Sequence, residues 1–270
     1  MRQYMTYSDS GIHSVNARRS EVRFFAENDW TDHVQTKIIL RHGKQGYGAP
    51  TTNYFSQPTF TYTSLQTFVR LGYKERKVDR HFQRYYLYND RYPTCFFGAE
   101  GGTFSWEENN AVSYPFARLN FLVKQRVSLG IMGRLHYLLQ GTLCAGKNAP
   151  DALRAMVMSN GSWTYAYDRF SLIHSLDFVA DRLLQLHVHW NGQGVLFNTL
   201  PGIRYLRLRE LASCKVAYGN GELTTPYIEM SAGIGNIFRI FELQYFWRLT
   251  HREVPKTRNI GLRFTIRVEH

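Results

Sequence analysis

The chain has 270 residues, and 33 Lys and Arg against 21 Asp and Glu give it a formal net charge of +12. Hydrophobic residues make up 44% of the chain and aromatic residues 15%, which excludes intrinsic disorder, since disordered chains contain few aromatics. No apolar run approaches the roughly 18 residues that a membrane-spanning helix requires, which excludes a helical membrane protein but not a β-barrel.

Apolar and polar residues alternate with a period of two along most of the chain, which is the pattern of a β-strand with two different faces. The longest unbroken example lies at 259–270, where one face is apolar and the other carries charged and polar residues. Together these runs predict ten or eleven strands, most of them antiparallel to their neighbours. The runs lie at 21–27, 35–42, 59–73, 94–104, 117–127, 131–142, 178–190, 211–218, 226–234, 238–250 and 259–270.

Helix signals are scarce. Residues 150–158 (PDALRAMVM) predict one short helix with Asp151 near its N-terminus, and residues 200–210 predict a turn of helix in a connecting segment. The N-terminus has no apolar stretch of the kind that a secretory signal contains.

The predicted strands are long. Several span 11–13 residues, which corresponds to roughly 37–44 Å, whereas an average strand in a soluble protein has about 5–6 residues. Such strands suit a closed membrane barrel, because closure pairs every backbone group where water is absent. The predicted fold is therefore all-β, an antiparallel transmembrane β-barrel over 21–270, with 1–20 as a flexible segment or a truncated strand. The alternative is a large soluble β-sheet protein with one wet face.

The alternation assigns side chains to two faces. Aromatic residues near the predicted strand ends (Tyr218, Tyr245, Trp247 and Trp190) suit an interfacial girdle. The polar face, predicted to line a lumen, carries Arg118, Lys124, Arg126, Arg134, Asp181, Glu242, Arg248, Arg263 and Arg267. The apolar face, predicted to meet lipid, carries Leu119, Phe121, Leu184, Leu186, Leu243, Leu262, Phe264 and Ile266.

The excess of arginine and lysine on the polar face has two interpretations. It predicts either an electropositive lumen that favours anions or a solvated wall balanced by Glu229, Glu242 and Glu269. A nucleic-acid site would place aromatic and basic residues together on one platform. Here the aromatics alternate to the opposite face, which disfavours nucleic acid.

Catalytic and metal signals are weak. His174, Ser175 and Asp177 are close in sequence, but a catalytic triad is a spatial arrangement, and no G-x-S-x-G motif accompanies them. His187 and His189 offer two metal ligands without a third, so they are predicted to be a pair that faces water in the lumen. No C-x-x-C pair exists, and we predict no enzymatic activity, no metal and no cofactor.

Short motifs spread over about 63–270 resemble the C-terminal outer-membrane β-barrel of a Bacteroidota-type family of unknown function, whose barrel usually follows a carboxypeptidase-like regulatory domain. That barrel is distantly similar to the surface-antigen class of assembly and translocation pores, which have sixteen strands. The motifs are GYKE at 72–75, FQR at 82–84, DRYP at 90–93, DFVADR at 177–182, LRLRE at 206–210, YIE at 227–229, GIGNIF at 233–238 and WRLTH at 247–251.

The resemblance implies further features. The chain would hold the last ten or eleven of sixteen strands and so be part of a longer product, or it would close as a barrel with fewer strands. It ends in His270 where such barrels usually place Phe. The long loop 145–176 would fold back into the lumen, where Asp181 would hold a basic loop residue such as Arg169.

The expected function follows from the same resemblance. It is a non-catalytic role in the bacterial outer membrane, in envelope assembly, secretion or surface display. The expected partners are outer-membrane lipid and, during insertion, the barrel-assembly machinery, with no nucleic acid. Two alternatives stay open: a passive pore for small anionic solutes, and a soluble basic β-domain that binds nucleic acid or polysaccharide.

Overall fold

The computed structural model describes residues 17–47, 59–80, 83–87, 91–109, 112–160, 166–173, 178–251 and 259–266. Its fold is all-β, as predicted. The strands are β1 Ala17–Asp29, β2 Val34–Tyr47, β3 Phe60–Gly72, β4 Arg76–Arg80, β5 Gln83–Leu87, β6 Thr94–Trp106, β7 Tyr114–Ser128, β8 Arg134–Ala145, β9 Ala155–Met156, β10 Val179–Ala180, β11 Arg182–Asn191, β12 Arg209–Gly219, β13 Tyr227–Ile237, β14 Phe241–Arg248 and β15 Ile260–Ile266.

Eleven of these strands form one antiparallel sheet in the order β1-β2-β3-β6-β7-β8-β11-β12-β13-β14-β15. Neighbours in the sheet are neighbours in sequence except at two places. The β4–β5 hairpin, which the sequence analysis missed, interrupts the connection from β3 to β6. Residues 146–181, here called the inner loop, interrupt the connection from β8 to β11 and contain β9 and β10.

The prediction of ten or eleven mostly antiparallel strands is confirmed for this sheet, which has eleven, while β4–β5 and β9–β10 form two further strand pairs. The described pairings leave β1 and β15 as the two edges of the sheet, so the closed barrel stays a prediction. Strand β1 begins at Ala17, within the segment predicted to be flexible or a truncated strand, and residues 1–16 lie outside the described residues.

Apolar and polar side chains are arranged on the two faces of the sheet in the opposite way to an ordinary soluble protein, in which buried positions are mostly apolar. On the face that we call outer, large apolar side chains are exposed, such as Leu262 at 70% and Phe264 at 59%. On the face that we call inner, Gln185, Lys215 and Glu229 are completely buried. The polar face therefore lies under cover while the apolar face lies open.

The helix predicted at 150–158 is wrong. A 3-10 turn at Asp151–Leu153 occupies its start, and Arg154 is extended, with φ −88° and ψ 177°. The next two residues then pair with β10 as strand β9, so strand pairing and not helical propensity decides this segment. The helical turn predicted within 200–210 is confirmed as the 3-10 turn Ile203–Leu206. No helix in the described ranges has the length and hydropathy to cross a membrane.

Candidate functional site

The inner loop lies against the inner face of the sheet and supplies much of the buried apolar core. Leu153 belongs to one hydrophobic cluster with residues of β3, β6 and β7. Phe170, Ile173 and Phe178 belong to a second cluster, which extends onto β11, β12 and β13. The sheet residues in these clusters are Phe60, Tyr62, Phe104 and Phe116 in the first and Leu183, Ala217 and Tyr227 in the second. The sheet and the loop therefore form one packed unit.

A buried ion pair stands beneath this loop. Lys215 on β12 and Glu229 on β13 are directly opposite each other in the antiparallel register, and Lys215 Nζ lies 3.3 Å from Glu229 Oε1. Neither side chain has any exposed surface. Removing two charges from water costs several kcal/mol for each ion, so the remaining hydrogen-bonding groups of both residues must find partners nearby.

The inner loop provides those partners. The backbone N–H groups of Ser171 and Leu172 donate to the Glu229 carboxylate at 2.9–3.0 Å, and the Tyr227 hydroxyl donates to it at 3.2 Å. Lys215 Nζ donates to the Arg169 carbonyl at 2.5 Å and to the Ser171 hydroxyl at 3.3 Å. The pair is therefore satisfied only while the loop is in place, and it joins the loop to two adjacent strands.

The inner loop also holds its own shape. The Asn160 side-chain oxygen accepts from the Ala166 N–H at 2.8 Å, and its amide nitrogen lies 3.1 Å from the Arg169 carbonyl oxygen. The Gln185 side-chain oxygen on β11 accepts from the Met158 N–H at 2.9 Å. These bonds fix the segments 158–160 and 166–171 against the sheet, which places the Arg169 carbonyl above Lys215.

His187 and His189 do not face water, contrary to the prediction. Both are buried, because aromatic side chains of the inner loop cover them. Phe170 packs on His187 with ring centroids 4.7 Å apart, and Tyr167 stacks on His189 at 4.0 Å. Within the described residues, no group of three or more His, Cys, Asp or Glu side chains is arranged to hold a metal ion. The segment with His174, Ser175 and Asp177 lies outside the described residues.

Asp181, the last residue of the inner loop, binds a basic residue of the same loop, as the resemblance implied; that residue is Arg154 and not the example named above, Arg169. Arg154 Nε donates to Asp181 Oδ1 at 2.8 Å, and this bond raises the pKa of the Arg154 guanidinium above its ordinary value. The Arg169 backbone carbonyl instead accepts from Lys215.

We expect Asp181→Asn to lower the free energy of unfolding by only about 0–1 kcal/mol, because both partners are partly exposed and water screens their attraction. Urea unfolding followed by tryptophan fluorescence measures the change. Arg154→Gln is the matched partner variant and should cost a similar amount. A loss of several kcal/mol in either variant would contradict the expectation that water screens the attraction between Asp181 and Arg154.

A second charged cluster lies at Glu100 on β6. Arg41 on β2 and Arg118 on β7 both donate to the Glu100 carboxylate, and Gln66 on β3 donates to it at 2.7 Å. Strands β2, β3, β6 and β7 are consecutive in the sheet, so one acidic side chain ties four strands together. Arg118, predicted to face a lumen, is thus on the inner face but neutralised there.

The other described residues that were predicted to line the inner face have varied surroundings. Glu242 is buried and accepts from the Tyr167 hydroxyl at 3.1 Å, and buried Arg248 donates to the Asn259 side chain at 2.9 Å. Lys124 lies 5.4 Å from the centre of the Phe96 ring. Arg126 and Arg263 are half-buried, Arg134 is exposed at the start of β8, and Arg267 lies outside the described residues.

The residues predicted to meet lipid lie on the outer face. Phe121 and Leu243 are half-buried there. The side chain of Ile266 lies outside the described set. The exposed members are Leu119, Leu184, Leu186, Leu262 and Phe264. Whether they meet lipid stays a prediction.

Sequence reasoning overlooked Lys215 and used Glu229 only as a counter-charge. Both occupy polar positions in the period-two pattern, so the pattern placed them on the correct face. Their pairing depends on the register between β12 and β13, which periodicity does not fix. Opposite charges at equivalent positions of adjacent strands were the available signal.

A comparison with protein families shows what this chain is similar to. Residues 47–234, more than half of the chain, match the C-terminal domain of a family of unknown function, DUF5686. No curated protein matches the chain.

Proposed function

This chain belongs to the DUF5686 C-terminal domain family, and we propose that it is an outer-membrane β-barrel protein without catalytic activity. Its role would lie in envelope assembly, secretion or surface display. It would follow a carboxypeptidase-like regulatory domain in proteins of the Bacteroidota type. Its partners would be outer-membrane lipid and, during insertion, the barrel-assembly machinery.

The observation that carries the proposal is that the apolar face of the sheet is exposed while the polar face is buried. Leu119, Leu262 and Phe264 are exposed, while Lys215 and Glu229 on the opposite face are fully buried. Soluble monomers rarely expose apolar patches larger than a few hundred Å². Hydrocarbon is the environment in which a broad apolar outer face lowers the free energy.

The passive-pore alternative is less well supported. The inner loop packs on the inner face, and Arg118 and Lys215 both bind carboxylates there. These contacts remove free positive charge from the wall that would select anions. A plugged assembly or display protein accounts for the buried ion pair and for the loop together.

Refolding into lipid tests the proposal. We expect the chain, diluted from urea into phosphatidylcholine vesicles, to gain the circular dichroism of β-structure, to float with the vesicles and to resist alkaline extraction. A chain that folds as a monodisperse protein in buffer without detergent would overturn the proposal. In planar bilayers the same preparation should be electrically silent, whereas stable anion-selective conductance would favour the pore.

A further inference from the structure

Three neighbouring connections at one end of the sheet share an unusual composition. They are 129–133 between β7 and β8, 192–208 between β11 and β12, and 238–240 between β13 and β14, and we call them the basic rim. They meet at one end because these six strands are consecutive and antiparallel. The basic rim has three arginines, Arg204, Arg207 and Arg239, and no Asp or Glu. Arg134, Arg209, Glu210 and Glu242 lie beside it, at the ends of the adjoining strands.

The basic rim is held in a defined conformation. The buried carboxylate of Glu210 accepts from the N–H groups of Gly194, Leu196 and Phe197 at 2.7–2.8 Å. The Asn236 side chain donates to the Arg207 carbonyl at 2.6 Å. These bonds fix the β11–β12 connection and join it to the end of β13, so this part of the rim presents its outer side chains on a fixed scaffold.

Those outer side chains are large and apolar. Ile131 is 90% exposed, Phe238 82% and Tyr205 75%, and Leu206 beside them is also exposed. Each lies at or next to the tip of its connection, where polar residues are usual in water. An apolar tip flanked by arginines therefore suits a partner that is apolar and anionic together.

The opposite end of the sheet differs. Its described turns expose Glu107 and Glu108 after β6, Lys147 and Asn148 after β8, and Thr224 and Thr225 before β13. Glu107 accepts a hydrogen bond from Lys44, which lowers the pKa of its carboxyl. Apolar residues in its described turns are less exposed, with Val112 at 38% and Leu249 at 41%, so highly exposed apolar tips beside arginines distinguish the basic rim.

We propose that the basic rim binds the anionic headgroup layer of a lipid membrane. Arg204, Arg207 and Arg239 would contact lipid phosphates, for which the guanidinium fork is well suited. Tyr205 and Phe238 would enter the boundary between headgroups and acyl chains, where amphipathic aromatics are favoured. This inference rests on the proposed membrane insertion and adds to it a lipid class and the end of the sheet that meets it.

Vesicle flotation with matched variants tests the proposal. The chain is diluted from urea into vesicles of phosphatidylcholine alone or with one fifth phosphatidylglycerol, at low salt. The fraction of the protein that floats with each vesicle type is then measured. We expect Arg204→Gln/Arg207→Gln to weaken the preference for phosphatidylglycerol by about thirtyfold, since each surface arginine contributes about a factor of five. The control is Lys147→Gln/Arg182→Gln, which removes two exposed charges from the other end and should keep the preference.

The outcomes separate the two proposals. Alkaline extraction reports insertion, and the ratio of binding to the two vesicle types reports headgroup recognition. An inserted chain with equal affinity for both vesicle types, or equal losses in the variant and the control, overturns the basic-rim proposal alone. Extractable protein that keeps the arginine-dependent preference overturns the insertion proposal alone. If millimolar inorganic phosphate, or an acidic polypeptide at equal charge, abolishes the preference for phosphatidylglycerol vesicles, the rim binds those ligands and the lipid assignment is overturned.

Discussion

Glu229→Ala should lower the free energy of unfolding by about 3–5 kcal/mol, the cost of leaving a buried charge without its partner. Lys215 would keep the Arg169 carbonyl and the Ser171 hydroxyl but lose its carboxylate partner, and the N–H groups of Ser171 and Leu172 would lose their acceptor. Urea unfolding in detergent, followed by tryptophan fluorescence, measures the change.

The same variant should release the inner loop. The carboxylate of Glu229 accepts two loop N–H groups, so its removal weakens the attachment of the loop to β13. We expect trypsin to cleave after Arg154 or Arg169 in the folded Glu229→Ala variant at least tenfold faster than in the original chain. Such cleavage would occur while the sheet retains its circular dichroism.

Two controls make this prediction specific. Glu108→Ala removes an exposed acidic residue and should change the stability by less than about 0.5 kcal/mol. The double variant Lys215→Met/Glu229→Leu removes both charges. Its loss of unfolding free energy should be smaller, by about 1–3 kcal/mol, than the sum of the losses in Lys215→Met and Glu229→Leu. A Glu229→Ala variant as stable as Glu108→Ala would contradict the proposed connection between the ion pair and the loop.

The ion pair between Lys215 and Glu229 shows which features a sequence can predict. The alternation of residues 211–218 and 226–234 was enough to place two strands, because hydrophobic periodicity is local. The contact between Lys215 and Glu229 required the register of those strands. The contact with Ser171, which lies 58 residues before Glu229 in the chain, required the path of the inner loop, and no local pattern encodes such a path.

The errors have the same origin. Residues 150–158 have adequate helical propensity, yet Ala155 and Met156 pair with β10 and Arg154 binds Asp181. His187 and His189 were placed on the correct face, but Phe170 and Tyr167 cover them. Period-two reasoning assigns a side chain to a face, and it does not reveal what covers that face.

Phe264→Arg should destabilise the protein in a lipid bilayer by about 2–4 kcal/mol, because an arginine near mid-strand on the outer face must be buried in hydrocarbon. Phe264 is exposed and lies against Phe241 on β14, with ring centroids 4.9 Å apart. Reversible unfolding by guanidinium in phosphatidylcholine vesicles measures the difference.

Thr265→Arg is the matched control, because the two positions are adjacent and lie on opposite faces of β15. Thr265 pairs with Glu242 in the register of β14 and β15, so an arginine there gains a nearby carboxylate and should be tolerated. The difference in stability between Phe264→Arg and Thr265→Arg shows whether the outer face meets hydrocarbon or water. If the outer face met water, Phe264→Arg would replace an exposed aromatic with a solvated charge and cost less than about 0.5 kcal/mol. Equal stability of the two variants in vesicles would therefore reject hydrocarbon as the surroundings of the outer face.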